Sequence, residues 1–370
     1  MTFRNFLLLL LLAATALPAA STRAAEAQPF ALQNDRLTTT PSRIAFGSGL
    51  RIDPSTGELP IWQAILAAEP DVFVFLGDNV FADTMNPSVM REAYARLAAQ
   101  EGFQKLLQQA TVLATWNDHD YGQNDAGKEY RMREESAAIF REFWPMPAEN
   151  YGHQDHAEDE VEGKTRFPEG GVHSSHTFGD VAFILLDTRY NRDRTGRPDG
   201  RNKAILGPKQ FTWLENELKS NDAKIKFVAS SIQFVSDLHR FERWGKQYEF
   251  ARFRLIEYIG MNGIDGVMFL SGDRNFAEIS ARQWGPLYPL IDVTASPMAN
   301  TSEHWQAQDW KEPNESRLSE GFYRGNNFGL ITIGWDQPDP PITIQIRDER
   351  GEVVYEFETN LSVLQWDPPT

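Results

Sequence analysis

Short, unbroken apolar runs recur along the chain, and each opens onto a polar cluster. Arg43-Ile44-Ala45-Phe46 leads into Gly47-Ser48-Gly49, and Val72-Phe73-Val74-Phe75-Leu76 into Gly77-Asp78-Asn79. Val112-Leu113-Ala114-Thr115-Trp116 leads into Asn117-Asp118-His119-Asp120, and Val181 to Leu186 into Asp187-Thr188-Arg189. Phe227-Val228-Ala229-Ser230 leads towards Gln233, and Val267-Met268-Phe269-Leu270 into Ser271-Gly272-Asp273-Arg274. Runs of strand length without polar alternation predict strands covered on both faces. Helical spacing appears between them: after Pro60, from Ser136 to Trp144, after Pro208 with Phe211, Leu214 and Leu218, and from Arg252 to Ile259. Strand alternating with helix predicts a layered α/β fold. In such folds ligands gather beyond the carboxyl ends of strands, which is where the polar clusters fall. From Asn327 onward the pattern changes to strict alternation around Pro and Gly, predicting the closing strands of a second sheet.

Two stretches stand outside this rhythm. The first residues carry Arg4, the apolar run Phe6 to Leu12 and small residues up to Ala25-Glu26-Ala27, the pattern of a secretory signal. The expected organisation is a signal peptide over 1–27 and one domain over 28–370, with export to the periplasm or the extracellular space and no membrane span after cleavage. Asn150 to Gly171 is rich in charge and Gly, with His153 and His156, and reads as a solvated surface insertion, or as a lid or an extra cation site. His173 and His176, just before a strand, read as structural.

A formal net charge of −16 argues against binding nucleic acid or anionic lipid by bulk electrostatics. With no cysteine, neither disulfides nor thiolate chemistry is open to the chain. Acidic clusters around Asp78, Asp118, Asp187 and Asp273 follow strands and could converge. Each alone could be a turn or helix cap. Several carboxylates in series point instead to a hard cation such as calcium, magnesium or manganese, since like charges brought together need one.

Several blocks resemble the alkaline phosphatase D-like branch of the calcineurin-like metallophosphoesterases. Gly77 to Thr84 is similar to its Gly-Asp-Asn-Ile-Tyr-x-Asp-Thr segment, and Thr115 to Gly122 to its Thr-Trp-Asp-Asp-His-Asp-Tyr-Gly segment. Leu186 to Tyr190, Ser230 to Gln233, Trp244-Gly245 and Leu270 to Glu278 match further blocks, in family order from Ile44 to about Ser280. The resemblance implies a two-sheet α/β metallophosphatase sandwich with flanking helices and a metal-dependent hydrolase of small-molecule phosphoesters. By the same resemblance Asp78 bridges two metals, and Asp118 and Asp273 ligate the second, with Asn124 a weaker candidate. His119 sits beside the phosphate as proton donor or charge stabiliser, and Arg189 or Arg274 contacts phosphate oxygens.

The departures from the family pattern are concentrated. Where the family carries Cys, Tyr and His, which the resemblance implies as ligands of a first metal, commonly iron, this chain has Gly49, Phe81 and Asn275. The expectation is a lost iron site beside a retained oxygen-ligand site. Two outcomes stay open: hydrolysis with one hard cation, or a phosphoesterase-fold protein that binds a phosphorylated ligand or a cation without rapid turnover.

Overall fold

The computed structural model describes Leu37 and residues 39–144, 170–237, 241–285, 287–301 and 312–366. The leader and most of the Asn150–Gly171 insertion, with His153 and His156, lie outside the described residues.

Two six-stranded sheets face each other. In the first, β1 (Arg43–Gly47), β2 (Val72–Leu76) and β3 (Thr111–Thr115) run parallel. All residues of β2 are apolar because both its faces are covered. Val72, Val74 and Leu76 point to the core between the sheets, whereas Phe73 and Phe75 pack in a second core. That second core is shared with α1 (Ile61–Ala67), α2 (Pro87–Ala98), α3 (Glu101–Gln109) and α5 (Arg133–Phe143). Trp62, Phe103 and Trp144 ring Phe75 there, with centroids 5.1–6.5 Å from it. Between β3 and α5 the single-turn helix α4 covers Asp118–Tyr121.

The second sheet has the order β4-β5-β6-β7-β9-β8, with β4 Ser174–Phe178, β5 Val181–Leu185, β6 Ile225–Ala229, β7 Val267–Ser271, β8 Glu278–Arg282 and β9 Leu290–Thr294. Strands β5, β6, β7 and β9 are parallel, and β4 and β8 close the edges antiparallel. Helices α6 (Pro208–Ser220) and α7 (Glu249–Met261) contribute Leu214, Leu218, Leu255 and Ile259 to the core.

The C-terminal strands differ from expectation. β10 (Asn327–Ile333), β11 (Pro341–Asp348) and β12 (Val353–Asn360) form an antiparallel meander, but β10 pairs with β1. They therefore extend the sheet of the first strand. Along β11 residues alternate buried and half-buried, as expected of strands with one face towards solvent.

His176 lies on β4 opposite Phe183, and the ring of His173 packs 4.7 Å from that of Trp213. Both are buried, and burial pushes each imidazole down to about 4, with Arg141 helping at His173. Their folded values lie below the unfolded value of about 6.5, so unfolding takes up protons between these limits. Stability from their burial is therefore complete above pH 6.5 and drains as pH falls towards 4, by about 2 kcal/mol per ring at pH 5. We expect His176→Gln to reduce the loss of melting temperature between pH 7 and pH 5. An unchanged pH dependence would show that His176 is not held neutral.

Candidate metal centre

Backbone geometry at the strand ends makes the site. After β2, Gly77 adopts φ 95°, and a Cβ there would stand 2.5 Å from the Asn117 amide nitrogen. Only glycine lets this turn lie against the end of β3. Asp78, Asp273 and Asn275 follow with φ of 52°, 70° and 52°, a left-handed backbone that is sparsely populated outside glycine and clusters at functional sites. Asp120 fastens the two loops together. Its carboxylate accepts from the backbone N–H of Asn117 (2.6 Å), Asn79 (3.1 Å) and Asp78 (3.3 Å), and from Asn79 Nδ2 (2.8 Å).

At the centre stands an amide. Asn117 Nδ2 is 2.8 Å from Asp118 Oδ1, 2.9 Å from Asp273 Oδ1 and 3.2 Å from Asp78 Oδ2. Asn117 Oδ1 accepts from Arg189 Nε (2.9 Å) and from Arg189 Nη2. A guanidinium can only donate, so it fixes the amide with its oxygen inward and its hydrogens on the carboxylates. Arg189 also pairs with Glu242 Oε2 at 2.6 Å, and lies 3.7 Å from Asp118 and 3.9 Å from Asp273. Arg192 holds the other oxygen of Glu242.

The charges push the carboxyls apart in acidity. Burial, with Asp118 nearby, holds Asp78 well above the usual carboxylate range. Burial and Asp118 push Asp273 up to about 7. Burial works to raise Asp118 too, but Arg189 and His119 bring it below its ordinary value. Two sets of donor atoms lie close enough to share an ion: Asp78, Asp118 and His119, and Asp118, Glu242 and Asp273.

Asp118, His119, Asn124, Asp273 and Arg274 all line one cleft of about 290 Å³. His119 Nδ1 lies 2.8 Å from Asp83 Oδ2, and the ring stacks on Phe81 at 4.2 Å. Burial alone would lower its pKa, but the Asp83 contact and the charges of Asp78 and Asp118 raise it to about 10. Asn124 stands at the exposed rim, and the neighbouring Asp125 N–H donates to Asp118 Oδ2 at 2.8 Å. Arg274 is nearly buried and is held by Glu312 at 3.1 Å.

Two expectations are corrected. Arg189 is fully buried behind the carboxylates and does not line the cleft, because it serves Asn117 and Glu242. Asp187 stays outside the cluster: its carboxylate accepts from the N–H groups of Arg189 (2.8 Å), Tyr190 (2.9 Å) and Val172 (3.0 Å), so it is the turn cap that aims Arg189. Sequence reasoning did not single out Asn117, Asp83 or Glu242. Asn117 replaces an acid of the motif, and that departure was the available signal.

The three departing positions border the same loops. Gly49 has φ 69°, and a Cβ there would sit 3.1 Å from Pro297 Cβ and 3.2 Å from Ser296 Oγ. Asn275 Oδ1 accepts from Asn300 Nδ2 at 3.0 Å, and its N–H donates to Ser296 Oγ at 3.1 Å.

Facing mixed sheets with an acidic cluster at the strand ends define an α/β sandwich of the metallophosphatase class. The chain belongs to the PhoD-like phosphatase family, whose pattern it matches over residues 44–284. It is 26% identical to alkaline phosphatase D of Bacillus subtilis (strain 168) over 180 residues, 44% of this chain and 30% of that protein. The chain thus matches less than a third of the length of that curated relative. A structure of PhoD superposes with a TM-score of 0.59 at 16% identity, covering 86% of this chain and 72% of the other. The purple acid phosphatase PPD1 from yellow lupin superposes equally well, at 0.59 and 12% identity, over 87% of this chain and 54% of the other. The family is one of phosphatases, and among the described residues the two donor sets named above could hold an ion.

Proposed function

We propose that the protein is an exported hydrolase of small-molecule phosphoesters that works with one hard divalent cation. The observation that carries this reading is the convergence of Asp78, Asp118 and Asp273 on one amide, with Asp118, Asp273 and His119 lining one cleft. The oxygen-rich donor set suits calcium, magnesium or manganese. Asp118, Glu242 and Asp273 would hold the ion. A bound cation supplies charge neutralisation at phosphoryl oxygens and a more acidic water.

This chain's own residues do the rest. Asp83 occupies His119 Nδ1 and leaves Nε2 to protonate the leaving-group oxygen. Phe81 fixes the ring plane from one side. Arg189, out of reach of substrate, keeps Asn117 oriented and so spaces the three carboxylates.

The family's iron position is the part we read as lost. Gly49, Phe81 and Asn275 offer no thiolate, phenolate or imidazole, and a side chain at Gly49 would need a strained backbone against Pro297. Reinstating cysteine there would therefore not by itself restore a site. Export is supported by the leader pattern over 1–27, with 28–370 as the working domain. Among the described residues no helix is long and apolar enough to cross a membrane.

Hydrolysis of an aryl phosphate, assayed with each of the three cations and with a chelator, tests the reading together with elemental analysis. We expect slow turnover that the chelator removes and no stoichiometric iron. Rapid turnover in chelator, or one tightly held iron per chain, would overturn it. Binding of inorganic phosphate without turnover under any cation would favour the binding-protein reading.

A further inference from the structure

Beyond the carboxylates the cleft changes character. Phe241, Phe276 and Phe322 line it together with Arg274 and Arg324. The Arg274 guanidinium lies 4.2 Å from the ring centroid of Phe241 and 5.1 Å from that of Phe276. The rings of Phe276 and Phe322 are 5.2 Å apart at 56°, and Arg324 lies 4.9 Å from Phe322. Arg274 Nη1 is 4.0 Å from Asp273 Oδ2, so this wall begins one residue's width from the acidic cluster.

Phosphate chemistry alone needs no aromatic wall. Phe276 is buried and works as packing, but Phe241 and Phe322 are only half-buried at the cleft. Rings with guanidinium groups over them make a flat surface that favours another flat, electron-rich ring system. We propose that Phe241, Phe322 and Arg324 form a subsite for an aromatic leaving group, so that the preferred substrates are phosphoesters bearing an aryl or nucleobase-like ring system. This rests on the hydrolase reading above and names the substrate class for that same cleft.

The test compares adenosine 5′-monophosphate with ribose 5-phosphate, which share the scissile linkage and differ in the ring. Turnover is measured with the cation that supports it, and binding of both compounds is measured by calorimetry in chelator. We expect kcat/KM to favour the nucleotide by about 10-fold or more, mainly through KM, the scale one aromatic stacking contact supports. Phe322→Ala and the volume-keeping Phe322→Leu should bring that ratio towards one, with Phe241→Ala as an independent second site. Turnover of both compounds without preference overturns the subsite and leaves the hydrolase reading intact. No turnover of either, with ring-dependent binding that Phe322→Leu weakens, supports the subsite and overturns the hydrolase reading. No turnover and no ring-dependent binding overturns both.

Discussion

Asp78→Asn should lower cation-dependent hydrolysis by about 100-fold or more, the usual scale for losing one electrostatic contribution to the transition state, here by loosening the hold on the cation that neutralises the reacting phosphate. The substitution is nearly isosteric, and asparagine tolerates the left-handed φ of 52° that Asp78 adopts. What it removes is the charge. Burial and the neighbouring carboxylates disfavour that charge more than His119 favours it, and a cation at the site would favour it further. The same change should therefore weaken calcium, magnesium or manganese binding while leaving the melting temperature in chelator unchanged or higher. Calorimetric titration and thermal melts separate the two effects. Undiminished turnover, or undiminished cation affinity, would show that Asp78 is not part of the working site.

Arg189→Met should destabilise the fold more than any other single change at the site, by about 3–5 kcal/mol, because it strands buried carboxylates without their cation. The guanidinium has no exposure, pairs with Glu242 at 2.6 Å and fixes the Asn117 oxygen. A loss of that size corresponds to a drop in melting temperature on the order of 10 °C. Two readouts separate this from simple loss of packing. Adding Glu242→Gln should restore part of the stability, giving a double variant less impaired than the sum of the singles. A divalent cation should also raise the melting temperature of Arg189→Met more than that of the parent, since it takes over the missing charge. Full additivity with Glu242→Gln and an equal cation response would refute the counter-ion role.

The parallel strands were legible because burial on both faces leaves unbroken apolar runs, as in Val72–Leu76 and Val181–Leu185. The alternation in β11 told equally well that one face meets solvent, but alternation does not say which sheet a strand joins. Asp78 and Asp187 look alike in sequence, each ending a buried strand. They part company only when the chain after Asp187 folds back so that Arg189 and Tyr190 donate to it. Glu242 sits 53 residues beyond its partner Arg189, just ahead of the Trp244-Gly245 block and outside it, and only the folded chain brings the two together. Asn117 was hidden by being neutral among acids, although it is the residue on which they converge.

That neutral residue bears on the order of events in the protein's life. A cluster of bare carboxylates must meet its ion before it can close, which ties maturation to the supply of metal. Here Arg189 travels with the chain and, through Asn117, ties three of the acids together from inside. Closure of the fold and loading of the ion become separate steps. On the hydrolase reading proposed above, the fold would not have to wait for its cation, and apo protein should fold in chelator and bind the ion afterwards.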